Sequence, residues 1–177
     1  LQKKVKTNFS DINDLDSVNK TFKKIKPDII FHLAAQPLVP KSYKDPISTF
    51  KTNSIGFANI LEALRIYNKS ITAVMITSDK VYRNDERKKG YKETDVLQGM
   101  DPYSASKSCA EIIFSSYYNS YFKKSRMKLA TGRAGNVIGG GDWADNRIIP
   151  DIVKSINLKK KLIIKIPQST RPWQHVL

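Results

Sequence analysis

The chain has 177 residues, 40% hydrophobic and 27% charged, which is enough for one domain with a sizeable core. One cysteine, Cys109, excludes an internal disulfide framework and fits a reducing cytoplasm, and no apolar run is long enough to span a bilayer. The net charge of +15 is spread along the chain without a nucleic-acid-binding motif, so we expect a lysine-rich solvated surface and no nucleic-acid partner.

Segments with strand character and segments with helical character alternate along most of the chain. The strand-like segments are residues 4–9, 29–35, 71–77 and 127–133, and the helix-like segments are residues 15–26, 48–67 and 103–122. The run 29–35 is continuously apolar, which is typical of a strand buried on both faces. Strands separated by helices predict βαβ units and an α/β fold with a parallel sheet.

The composition changes after Asn136. A glycine-rich loop with one tryptophan covers residues 139–143, a helix is predicted from Ile148, and a short strand is predicted over residues 162–166. We therefore predict two parts, residues 1–136 and residues 137–177, of which the second opens a smaller domain. Because the chain begins at Leu1 and not at Met, we expect it to be a piece of a longer protein.

Polar residues follow the predicted strands, and in a parallel sheet ligands bind beyond the carboxyl ends of the strands. The residues that we expect to line this crevice are Asp11, Ile12, Ala34, Ala35, Gln36, Ser78, Asp79, Lys80, Gly135 and Asn136. The sequence contains no Gly-x-x-Gly-x-x-Gly phosphate loop. If the sheet binds a dinucleotide, its first strand and that loop precede Leu1.

Tyr103 and Lys107 are the most informative pair for chemistry, because residues four apart share one face of a helix. Asp101 and Pro102 predict that this helix begins here, with aspartate as N-cap and proline at the first position. A phenol beside an ammonium suits proton transfer, since the cation favours the phenolate. The alternative is an ordinary surface pair. The hydroxyl of Ser78 favours catalysis, because it could hydrogen-bond a substrate oxygen at a strand end.

Five stretches resemble the extended short-chain dehydrogenase/reductase family, within it the nucleotide-sugar epimerases and 4,6-dehydratases. They are residues 32–39, 77–80, 101–107, 133–143 and 171–176. Tyr-x-x-x-Lys specifies only the superfamily, whereas Gly-Gly-Gly-Asp-Trp and Arg-Pro-Trp-Gln-His-Val resemble most closely the dehydratases that act on CDP-glucose. The resemblance implies a Rossmann-like doubly wound sheet that binds NAD, the start of a small substrate-binding domain, and a cytoplasmic homodimer.

The resemblance also implies a role for each candidate residue. The residues implied for NAD are Asp11 and Ile12 at the adenine, Ala34, Ala35 and Gln36 along the cofactor, Asn53 bracing their loop, and Lys107 at the nicotinamide ribose. Tyr103 would take the proton of the C4 hydroxyl, and Ser78 would hydrogen-bond the C4 oxygen. The residues implied for the sugar and diphosphate are Asn136, Arg147 and Arg171; arginine suits phosphate because its planar fork binds two oxygens at once.

The implied reaction is that of a hydro-lyase, which forms CDP-4-keto-6-deoxyglucose for deoxysugar biosynthesis of the O-antigen type. Asp79 would be the acid for the departing C6 hydroxyl. Many relatives carry glutamate where this chain has Lys80, which could take the C5 proton only in its neutral form, or could stay charged and steady the enolate. The alternative is an NAD-dependent epimerase or a dehydratase of another nucleotide sugar. An epimerase expels no C6 hydroxyl, so Asp79 and Lys80 favour the dehydratase.

Two further expectations concern what the chain lacks. The histidines His32 and His175 and the single cysteine show no metal-ligand spacing, so we expect no metal site and interpret His32 as a core residue. Without the Gly-x-x-Gly-x-x-Gly phosphate loop, we expect these 177 residues alone to be inactive and to bind NAD weakly or not at all.

Overall fold

The computed structural model describes residues 5–164 and 166–177. The chain divides into two compact units, Leu1–Arg133 and Ala134–Leu177. The composition of the sequence predicts this boundary after residue 136. No helix in the described part of the chain is long and apolar enough to cross a bilayer.

The first unit is built on three parallel strands in the order β1-β2-β3, which are Ile29–His32, Thr72–Ile76 and Lys128–Gly132. The register pairs Ile30 with Ala73, and Ala73 with Leu129. The helices are α1 Leu15–Ile25, α2 Val39–Lys44, α3 Pro46–Phe50, α4 Phe57–Tyr67 and α5 Pro102–Tyr117. This alternation confirms the predicted α/β fold with a parallel sheet.

Two of the helices contain wide π-helical turns. Residues Lys51–Gly56 join α3 to α4 through one such turn, and residues Tyr118–Phe122 extend α5 through another. Such turns shift the side chains that follow onto a new face, and they are frequent at functional sites. The first turn buries Asn53 and Ser54, which contact the candidate site described below.

The core lies on one face of the sheet, where α1, α4 and α5 pack. Its fully buried members include Leu61 and Leu64 of α4, Met75 of β2 and Ala110 of α5. Helix α1 contributes Val18 and Phe22, as its apolar spacing predicts. Asp14 begins α1, because its side chain accepts a hydrogen bond from the Ser17 amide at 3.1 Å.

The prediction that residues 29–35 form a strand buried on both faces is wrong. Strand β1 ends at His32, and the side chains of Ile29, Phe31 and Leu33 are 60%, 66% and 69% exposed. Side chains alternate between the two faces of a strand. His32 points to the face that the helices cover, whereas no described element covers the face of Ile29 and Phe31.

Two other predicted strands are wrong for the residues that can be judged. Residues 5–9 form no strand, and neither do residues 162–164 and 166; Lys4 and Lys165 lie outside the described residues. A strand exists only where its backbone finds a partner, and these segments pair with no other part of the described chain.

The second unit instead pairs two strands that the sequence did not predict. Strands β4, Asn136–Ile138, and β5, Trp173–His175, run parallel, with Val137 opposite Gln174. The predicted helix from Ile148 is present as α6, Ile148–Asn157.

Candidate active site

Helix α5 presents Tyr103 in its first turn and Lys107 one turn later. Asp101 is the N-cap, since its carboxylate accepts from the Ser104 amide at 3.0 Å, and Pro102 occupies the first helical position. The predicted helix start is therefore confirmed. Tyr103 is half-buried, whereas Lys107 is only 5% exposed.

Lys107 attaches α5 to the end of β2. Its Nζ donates a hydrogen bond to the carbonyl oxygen of Ile76, the last residue of that strand, at 3.2 Å. Burial lowers the pKa of Lys107 to about 8, and the neighbouring carboxylate of Glu111 opposes this shift. The ammonium is therefore held beside the turn that begins with Thr77 and Ser78.

His32 is buried and packs edge to face against Phe57, with ring centroids 5.4 Å apart. Burial, and then the charge of Lys107, lower the pKa of His32 to about 4. The imidazole is neutral at physiological pH, which agrees with its interpretation as a core residue.

The turn after β2 places three candidate residues together. Ser78 Oγ lies 3.1 Å from Asp79 Oδ1, to which it donates, and accepts from the Lys80 amide at 3.2 Å. A short 3₁₀ turn, Asp79–Val81, carries Lys80 towards α5, where its Nζ lies 5.9 Å from the centroid of the Tyr103 ring. The structure thus brings Ser78, Asp79, Lys80 and Tyr103 to one place.

Asn53 connects the loop after β1 to α5. Its Oδ1 accepts from the Gln36 amide at 2.7 Å, and its Nδ2 donates to the Gln36 carbonyl at 3.1 Å and to Ser106 Oγ at 3.0 Å. The side chain of Gln36 donates to Thr49 Oγ1 at 3.0 Å. Ala34 is exposed and Ala35 half-buried in the same loop. These buried contacts fix the loop relative to the helix of Tyr103.

Asp11 and Ile12 lie in a turn before α1, with no described strand ahead of them. The exposed carboxylate of Asp11 accepts from the amide of Asn13 at 2.9 Å. Asn59 of α4 donates to the Ile12 carbonyl at 2.9 Å, and the Ile12 side chain packs on the core. The turn is therefore anchored to α4.

The remaining predicted site residues belong to the second unit. Asn136 begins β4, and its amide donates to the Pro172 carbonyl at 3.0 Å. Arg147 precedes α6 and donates to Asp142 Oδ2 at 2.8 Å. The hydrogen bond from the Ala144 amide, and then the one from Arg147, lower the pKa of Asp142. Arg171 is exposed, and its Nη1 donates to the Thr170 carbonyl at 2.6 Å.

Three residues that were not predicted from the sequence lie against the candidate residues, namely Ser106, Glu111 and Arg133. Ser106 accepts from Asn53, and Glu111 pairs with Arg133 at 2.9 Å behind the turn after β2. Glu111 follows Lys107 by one helical turn, and that spacing could have indicated it. Among the described residues, no three histidine, cysteine or acidic side chains are grouped so that they could hold a metal ion.

Comparisons with known proteins bear on this arrangement. The model of the family described as GDP-mannose 4,6 dehydratase matches residues 1–177. A CDP-glucose 4,6-dehydratase of Salmonella typhimurium is 46% identical over 178 aligned residues, which cover 98% of this chain and 50% of that protein.

Solved structures show the same fold. A UDP-glucose 4-epimerase of Thermotoga maritima, solved with UDP-glucose, superposes with a TM-score of 0.87 at 21% identity, over 99% of this chain and 57% of the other. A double mutant of a dTDP-glucose 4,6-dehydratase of Streptomyces venezuelae, solved with NAD, superposes with a TM-score of 0.81 at 21% identity. The superposition covers 94% of this chain and 49% of the other.

The chain spans about half the length of these relatives. The superpositions confirm the predicted Rossmann-like fold, and the matches agree with the resemblance to nucleotide-sugar enzymes of the extended short-chain dehydrogenase/reductase type. Because the family model matches from the first residue to the last, this chain belongs to the GDP-mannose 4,6-dehydratase family.

Proposed function

We propose that the protein containing this chain is an NAD-dependent CDP-glucose 4,6-dehydratase, which forms CDP-4-keto-6-deoxyglucose. The observation that carries the proposal is the placement of Lys80 beside the ring of Tyr103, on the turn that also presents Ser78 and Asp79. The Salmonella relative, which is named for this reaction, supports the choice of CDP-glucose, because it is 46% identical over 98% of this chain.

The residues at the strand ends fit the cofactor. Lys107 has three N–H donors, and its one hydrogen bond within the described part of the chain is to Ile76, so donors are left for the ribose hydroxyls. Ala34 and Ala35 present only small side chains along the loop that Gln36 and Asn53 fix. When bound, NAD would take a hydride from C4 of the sugar and return it to C6.

Each candidate residue then has a task that its chemistry allows. Tyr103, as the phenolate that the ammonium of Lys107 stabilises, takes the proton of the C4 hydroxyl as general base and becomes a neutral phenol. Lys107 also holds the ribose. Ser78 turns its hydroxyl from Asp79 to the C4 oxygen and donates a hydrogen bond to it. Asp79 gives a proton to the C6 hydroxyl, which leaves as water. Lys80 acts at C5, either as a neutral base or as a cation that steadies the enolate.

We also propose which residues bind the nucleotide sugar, where the protein acts and how it assembles. Asn136, Arg147 and Arg171 bind the nucleotide sugar, because an arginine fork suits a diphosphate. The protein acts in the cytoplasm, in deoxysugar biosynthesis, as a homodimer. The long helices of residues 46–67 and 102–122 supply the dimer contact, since they leave Ile55, Ile66 and Ile112 exposed.

The pH dependence of the reaction follows from Lys107. Its pKa is about 8, well below the usual value of a lysine, so the ammonium loses its charge as the pH rises through about 8. We expect kcat of the full-length enzyme to fall above this pH, because the phenolate of Tyr103 loses its stabilising cation. A kcat–pH profile between pH 6 and pH 10 tests this, and a flat profile to pH 10 would contradict it.

The proposed function is tested with the full-length protein, because residues 1–177 alone are proposed to be inactive. It is incubated separately with CDP-, UDP-, GDP- and dTDP-glucose, and the products are weighed by mass spectrometry. Loss of one water from CDP-glucose alone supports the proposal. Loss of water from another nucleotide sugar keeps the mechanism and changes the substrate. No water loss from any of them, with NAD bound, would favour an epimerase.

A further inference from the structure

The carboxylate of Glu111 joins the ends of two strands behind the candidate site. Its side chain is only 4% exposed. Thr77 Oγ1 donates a hydrogen bond to Oε1, whereas Thr131 Oγ1 at 3.2 Å and Arg133 Nη2 at 2.9 Å donate to Oε2. Both oxygens are thus occupied by donors that follow β2 or lie at the end of β3.

The link to Thr77 matters because the next residue along the chain is Ser78. The amide of Thr77 donates to the Gly132 carbonyl at 2.8 Å, so the sheet holds its backbone while Glu111 holds its side chain. One turn earlier on α5, Lys107 holds the carbonyl of Ile76. Two side chains of α5 therefore form hydrogen bonds with two successive residues at the end of β2, Lys107 with Ile76 and Glu111 with Thr77.

Arg133 keeps this buried carboxylate from being an unpaired charge. Its Nη1 donates to the hydroxyl of Tyr82 at 2.9 Å and its guanidinium lies 5.0 Å from the centroid of that ring. The Tyr82 ring stacks on Tyr91, with centroids 5.0 Å apart. The guanidinium is thereby fixed on the side away from Thr77, so that Glu111 can direct Oε1 towards the turn.

We propose that Glu111 is a positioning residue, which acts through Thr77 to hold the Ser78–Lys80 turn at the distance from Tyr103 that the reaction requires. This inference rests on the proposed function. A carboxylate is suited to the task because it accepts from three donors at once, whereas a glutamine would present N–H groups to one of them. Small displacements of catalytic groups are costly, since a shift of about 1 Å can lower a rate by about 100-fold.

The two threonines provide a matched pair of variants in the full-length enzyme. Thr77→Val and Thr131→Val each remove one hydroxyl from the same carboxylate, but only Thr77 adjoins the turn. We expect Thr77→Val to lower kcat for CDP-glucose by about 10- to 100-fold with KM changed less than about threefold. Thr131→Val should stay within about threefold of wild type. Thr77→Ser, which keeps the hydroxyl, should restore kcat.

A second measurement does not depend on turnover. Hydrogen exchange of the peptide that covers residues 78–82 should accelerate in Thr77→Val and in Glu111→Gln, while residues 57–67 of α4 remain protected as in wild type. Wild-type exchange of residues 78–82 in both variants would overturn the inference, and so would equal losses of kcat in Thr77→Val and Thr131→Val. A wild-type enzyme that removes no water from any nucleotide sugar would refute the proposed function instead, and the exchange result would still decide the positioning.

Discussion

Tyr103→Phe in the full-length enzyme is expected to lower kcat for CDP-glucose by about 10²- to 10⁴-fold, which is the contribution typical of a general acid or base. Phenylalanine keeps the ring beside Lys80 but removes the hydroxyl that takes the C4 proton. Because Tyr103 is only half-buried and Asp101 and Pro102 define the helix start, the fold should be unaffected. Steady-state rates with CDP-glucose and the thermal unfolding midpoint test both parts of this expectation.

Tyr121→Phe is the matched control, because Tyr121 lies on the turn that extends the same helix and is 55% exposed. It should keep the wild-type kcat. A Tyr103→Phe enzyme that retains more than about a tenth of the wild-type kcat would contradict the role of this phenol. A Tyr103→Phe enzyme that is inactive and also unfolded would show a structural role.

Gly99→Ala is expected to destabilise the first unit by about 3 kcal/mol, the upper end for overpacking a tight contact. A Cβ at this position would overlap the carbonyl group of Ser104 and lie 2.5 Å from the amide nitrogen of Ala105. These are backbone atoms of the first turn of α5 and cannot rotate away. The Gly99 amide is also fixed, since it donates to Ser108 Oγ at 3.0 Å.

The control for this substitution is Gly90→Ala, because a Cβ there would meet no atom within 4 Å. Urea unfolding of both variants, followed by circular dichroism, gives the difference in stability. Gly90→Ala should unfold within about 0.5 kcal/mol of wild type, as surface substitutions usually do. Equal midpoints for Gly99→Ala and Gly90→Ala would show that the start of α5 tolerates displacement.

Local patterns were sufficient for the parts of the fold that depend on neighbours in sequence. Asp101 and Pro102 predicted where α5 begins, and segments with strand character located β2 and β3. The pairing of β4 with β5 joins residues far apart in the chain, and no local pattern specifies such a contact. The exposed face of β1 was missed for a related reason: an apolar run does not reveal which elements cover it.

Some residues of the candidate site could likewise be recognised from local sequence patterns, whereas others depend on tertiary contacts. Tyr103 and Lys107 are recognisable because their spacing is helical and their chemistry is complementary. Glu111 has the same helical spacing from Lys107, but its burial and its pairing with Arg133 could not be recognised, since charged residues are mostly exposed and become buried only in specific pairs. Their pairing requires the end of β3 to meet the middle of α5, which only the tertiary structure establishes.

The most direct test of the proposed reaction follows one atom through it. The full-length enzyme is given CDP-glucose that carries deuterium at C4 of the glucose, and the product is analysed by NMR and mass spectrometry. We expect a 4-keto-6-deoxy product that has lost one water and carries the deuterium at C6. Deuterium that remains at C4 of an unchanged or epimerised sugar would contradict it.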